Sequence, residues 1–141
     1  PPPPTPPLSA LYVLLTVPAH TEIYTLSLHD ALPILDERAR AYLEMNCAHC
    51  HRKEGPAKNS GLYLMSTSNS RHALGIMKAP VAAGSGSGQL AYDIVPGQPE
   101  ASILLHRMNS TEPAVMMPEL GRKMIHKEGV ALIRSWIASL E

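Results

Sequence analysis

Phenylalanine is absent from the 141 residues, and one Trp and five Tyr make up the whole aromatic content. A core built that way must be filled by Leu, Ile, Met and Ala, or by a bulky group that the polypeptide does not encode. Only two cysteines occur, both inside one five-residue window, which excludes a disulfide framework stapling distant loops. Charge of one sign is also missing. Twelve basic residues balance twelve acidic ones with no block of either, so nucleic acid is not an expected partner. The most apolar stretch, residues 8–17, is about ten residues long, too short to cross a bilayer, and no transmembrane segment is expected.

Residues 1–34 read differently from the rest, opening on four prolines and holding no Lys or Arg before Arg38. The apolar stretch has the length of an export-signal core but lacks an initiating Met, a basic flank and a small-residue cleavage site. Residues 23–34 resemble translated sequencing-adapter text. The expectation is a non-native or disordered tail over 1–34, followed by one domain over 35–141, with the true N-terminal region of the gene product missing. Without Glu22 and Asp30, twelve basic residues face ten acidic ones, so strong electrostatic steering to a partner is not predicted.

From Leu35 the pattern turns helical, with Asp36 as an N-cap and Ala39, Tyr42, Leu43 and Cys47 along one face. Residues 66–70 and 84–88 are polar or Gly/Ser-rich loop. Residues 81–83 and 92–95 are expected to pair as a short β-hairpin around the second of them. Pro99 suits a first helical position, with Ile103, Leu104 and Met108 forming a short amphipathic helix. The final helix is the plainest, because Val130, Ile133, Trp136, Ile137 and Leu140 make a continuous apolar stripe.

The strongest chemical signal is Cys47-Ala48-His49-Cys50-His51. Each thiol can add across one haem vinyl group, and two intervening residues give the thioethers the reach to hold neighbouring vinyls. The histidine that follows can supply the fifth ligand to iron. The pattern therefore predicts one covalent haem c on Cys47 and Cys50 with His51 as an axial ligand. A redox dithiol would want a βαβ context, which the pattern lacks. Zinc would need two further ligands, and only His72, His106 and His126 could provide them, in an irregular arrangement.

A sixth ligand must return from far along the chain. Met116-Met117-Pro118 lies in a proline-punctuated stretch before the last helix, with Met117 placed 66 residues after His51. The residue before a proline is pushed toward extended backbone, which favours Met117 as the ligand and Met116 as its packing neighbour. Met108 and Met124 read as core methionines. His49 reads as solvent-facing and His126 as a capping or first-turn residue.

The run Asp93-Ile94-Val95-Pro96-Gly97-Gln98-Pro99 through Leu104 resembles the planctomycete-type cytochrome c domain, in which a Cys-x-x-Cys-His helix precedes an Ile-Val-Pro-Gly-x-Pro turn, a Met-Pro loop and a terminal helix with Trp-Ile. Met117-Pro118 and Trp136-Ile137 are the matching pieces here. Residues 41–43, Asn46-Cys47 and the run from Met116 to Arg122 are similar, more closely, to a family of secreted bacterial proteins with a C-terminal haem c domain. The resemblance covers residues 35–141. It implies attachment at Cys47 and Cys50, His51 as proximal and Met117 as distal ligand. Those proteins carry a longer N-terminal region, whose activity cannot be carried over.

Together these readings predict an all-α, class I cytochrome c-like domain with crossed N- and C-terminal helices. A backbone carbonyl near Gly55-Pro56 is the expected hydrogen-bond partner of the His51 ring. The expected function is one-electron transfer to a redox partner protein in the periplasm or another extracytoplasmic compartment. The alternatives are a haem-containing subunit or fragment of a larger oxidoreductase, an open-iron enzyme, and a non-redox metal or interaction module.

Overall fold

The computed structural model describes residues 31–141, with side chains from Leu35 onward. The expectations for the apolar stretch and the proline run lie outside the described residues. Three α-helices and no β-strand form among them: α1 (Ala31–Cys47), α2 (Ile103–Met108) and α3 (Lys127–Ser139). Leu35–Glu141 makes one compact unit, and the described residues are all-α as their periodicity predicts.

The first helix begins four residues before the expected start. Pro33 falls in its first turn, where a missing N–H breaks no intrahelical bond. Asp36 therefore caps nothing. Its carboxylate accepts a 2.7 Å hydrogen bond from the Trp136 indole, linking the first and last helices. The expected face is otherwise kept: Ala39 and Leu43 are fully buried, in one cluster with Leu105 and Met108 of α2 and Val130, Ile133, Trp136 and Ile137 of α3. Each large aliphatic side chain removed from water there contributes about 1.5–3 kcal/mol before entropy is charged against it.

Where α1 passes the start of α3, close approach demands a glycine. A Cβ on Gly129 would run into the ring of Tyr42. Tyr42 also stacks on His126, with ring centroids 5.6 Å apart, and its hydroxyl lies 3.0 Å from His126 Nδ1. His126 is the N-cap residue of α3, but its side chain bonds to no helix N–H.

The segment between α1 and α2 carries three 3-10 turns, Lys58–Ser60, Gly84–Ser87 and Pro99–Ala101, the last with its proline in the first turn. The predicted β-hairpin is absent. Residues 84–87 form a 3-10 turn, and Tyr92 and Ile94 instead make isolated parallel bridges to Ser102 and Ile76. Asp93 N donates to Lys78 O and Ile94 N to Gly75 O, so the partner of this stretch is a segment that residues 81–83 do not reach. Met124 is a further correction: it is 79% exposed and belongs to no core, whereas Met108 is buried as expected. None of the described helices is long and apolar enough to cross a membrane.

Candidate functional site

A cavity of about 500 Å³ opens between the end of α1, the segment that follows it, α2, and the stretch before α3. That volume lies within the range of small-molecule and cofactor sites, about 300–1,000 Å³. Cys47, Cys50, His51 and Met117 all line it, with Leu62, Leu64, Ile103, Leu104 and Met108 among its apolar walls. Met116 does not line it. His49 sits exposed at its edge, while His72 and His106 are exposed and do not line it. Among the described residues, no group of three or more His, Cys, Asp or Glu side chains gathers to hold a metal ion, so the zinc reading has no ligand set.

Cys47 ends α1, and the chain turns at once: Cys50 N and His51 N both donate to Cys47 O, at 3.1 and 2.9 Å. The turn points two free thiols and the imidazole at one space. Burial, and secondarily the neighbouring Cys50, push the Cys47 thiol up to about 11. At neutral pH that thiol is therefore protonated. Gly55 closes the turn because a Cβ there would meet the Cys50 carbonyl. Ala57 N then donates to that same carbonyl at 3.2 Å, and Leu64 N donates to His51 O at 2.9 Å.

His51 is half-buried. Burial lowers its pKa first, with the positive charge of Arg107 and the nearby His49 adding to the effect against Glu119. The imidazole is therefore neutral at neutral pH, the form that can ligate a metal. Its Nδ1 lies 3.1 Å from the Ser60 hydroxyl oxygen, not against a carbonyl near Gly55-Pro56 as the sequence led one to expect.

Met117 reaches the cavity from a segment with little backbone bonding of its own. Its N–H donates to Arg107 O at 3.0 Å, and the Met117–Pro118 peptide is cis. Two arginines hold this segment. Arg107 Nε donates to Val115 O at 2.8 Å, while Arg122 donates to Met108 O and Ser110 O, both at 2.6 Å, and to Arg107 O at 3.4 Å. Arg122 thus satisfies carbonyls that the end of α2 leaves without intrahelical partners, where a cation is also favoured by the helix dipole. Arg107 lines the cavity as well, and its burial lowers its pKa. Asp93, another lining residue, is paired with Lys78 at 3.2 Å, both side chains almost fully buried.

Sequence reasoning brought the four principal residues to one place but assigned no role to Ser60, Arg107 or Arg122. Arg122 lies in the quoted run from Met116, and a cation five residues past the methionine was the available signal. Comparison of the chain with protein-family models, with curated proteins and with solved structures returned no match to any of them.

Proposed function

We propose that this chain is a class I-like cytochrome c domain that carries single electrons on one covalently held haem c. The observation that supports the reading is the convergence of Cys47, Cys50, His51 and Met117 on one largely apolar cavity, although 66 residues separate the last two. The donor set fits the group: two thiols at the spacing of adjacent vinyls, a neutral imidazole, a thioether and aliphatic walls. Haem, when bound, supplies the Fe(II)/Fe(III) couple.

The residues around it have separable tasks. Cys47 and Cys50 would hold the ring covalently, and His51 and Met117 would supply its iron with protein ligands. The aliphatic walls exclude water, which keeps reorganisation on electron transfer small. Arg107, which lines the cavity, would offer a guanidinium to a ring carboxylate. Covalent haem attachment in bacteria takes place outside the inner membrane, so the proposed location is periplasmic or otherwise extracytoplasmic. The proposed partner is a redox protein that docks at the cavity mouth.

The test is expression of the full chain with haem-maturation machinery. Sharp reduced cytochrome c bands that survive acid–acetone extraction are expected, and they should vanish when Cys47 and Cys50 are both replaced by Ala. Colour that extracts, or none at all in the wild type, would refute the reading.

A further inference from the structure

We propose that Ser60 is a positioning residue for His51: its hydroxyl oxygen accepts the imidazole Nδ1 proton, which leaves Nε2 as the ligating nitrogen and holds the ring in the plane that ligation needs. The proposal rests on the haem reading above.

The assignment follows from counting protons. A serine hydroxyl has one proton to give and two lone pairs to receive with. Ser60 Oγ lies 2.7 Å from Ala57 O, and a carbonyl can only accept, so the hydroxyl proton is committed to that contact. Leu62 N, at 3.2 Å, can only donate, which occupies one lone pair. The remaining neighbour is His51 Nδ1 at 3.1 Å. With its proton already spent, Ser60 cannot donate to that nitrogen, so Nδ1 must carry the proton. In a neutral imidazole the other nitrogen is then bare.

The acceptor lies nine residues past His51 and is brought back against it by the intervening turns. Ser60 ends the 3-10 turn Lys58–Ser60, and Gly61 follows it at φ 68°, a left-handed conformation that lets the chain reverse toward Leu62 and Leu64 on the cavity wall. Leu64 N returns to His51 O, so the segment that presents the hydroxyl is itself tied to the residue it orients. An acceptor on the far nitrogen makes the imidazole a better electron donor, which favours Fe(III) over Fe(II). Removing it should raise the midpoint potential. A neutral hydrogen bond is worth enough to move the reduction equilibrium by about two- to tenfold, tenfold being about 59 mV for one electron.

The full chain carrying haem is the sample, compared as wild type, Ser60→Thr, Ser60→Val and Ser60→Ala. Haem in the wild type must first resist acid–acetone extraction; failure there sinks the haem reading itself, whatever Ser60 does. Given attached haem, NMR of the reduced protein should show one slowly exchanging His51 ring N–H in the wild type and in the Thr variant. In the Val and Ala variants that proton should exchange at least about tenfold faster, with the potential raised by the shift just given. Val is close to Thr in shape, so a difference between those two reads the hydroxyl and not the packing of the turn. A ring proton in the wild type that exchanges as fast as an exposed one overturns the proposal even if no variant assembles. So does a Val variant with wild-type exchange and potential.

Discussion

The segment that carries His51 and the segment that carries Met117 meet at one cavity, but they are held by different means. Between residues 47 and 64 the backbone binds itself, turn by turn, through Cys47 O, Cys50 O, Ala57 O and His51 O. Between residues 109 and 126 the backbone scarcely binds itself beyond Glu112 O, and the guanidiniums of Arg107 and Arg122 supply the anchorage. A wall made of main chain resists side-chain substitution and fails only where backbone meets backbone. A wall hung on two long side chains can be released by changing either one. The difference teaches that the two proposed iron ligands should be separable: one can be lost while the other remains.

The largest effect should come from breaking the self-bound side at its tightest point. Gly55→Ala drives a methyl group at the Cys50 carbonyl, and backbone cannot yield as a side-chain tip can. The expected loss is about 3 kcal/mol of unfolding free energy, measured by denaturant titration, together with poor haem attachment. A variant as stable as the wild type would mean that the turn is looser than described.

Next, Arg122→Ala strips partners from Met108 O, Arg107 O and Ser110 O at once. A loss of about 1–3 kcal/mol is expected, with the near-red sulfur-to-iron absorption gone while haem stays covalently attached. Persistence of that band would show that the Met117 segment holds itself in place. Smaller still in stability, Met117→Ala should abolish the band with the fold intact, whereas Met116→Ala, outside the cavity, should keep it. The reverse pattern would exchange the two methionines.

The smallest effect is acid sensitivity on the His51 side. Its pKa is lowered in the folded state by burial, Arg107 and His49, so between folded and unfolded values the unfolded chain binds more protons. Stability is complete above the unfolded value, near 6.5, and falls as pH drops through the folded one. Denaturation midpoints of the chain without haem, measured from pH 8 to 4, should decline over that window in the wild type and less so in His51→Gln. Equal slopes would remove His51 as the cause.

Much of the His51 side was legible because its signals are local. The Cys motif, the Ala39–Leu43 face and the stripe from Val130 to Ile137 each depend on spacing within one element, and the structure buries both helical faces as spacing requires. The Met117 position was legible for a weaker reason, the proline beside it. What failed depended on what lies outside the element itself. Asp36 looks like a cap until Trp136 arrives to use its carboxylate. Residues 92–95 look like half of a hairpin, but Ile76 and Ser102 claim them. Met124 looks like core because thioethers are apolar, yet no element covers it. Ser60 carries no mark at all, since its role exists only once the chain has turned back toward His51.

The hydrogen bond from Trp136 to Asp36 joins residues 100 positions apart. While the chain is unfolded, the Cys pair is free of the helix that must lie against α1. Contacts of such long range are slow to form, because most of the loop-closure entropy has to be lost before they are made. An enzyme that fastens haem to Cys47 and Cys50 would therefore meet an open, extended substrate, and the ring would be in place in time to serve as the surface on which the last helix settles. Were haem fastened there as proposed, its bulk would fill volume that a chain without phenylalanine leaves open.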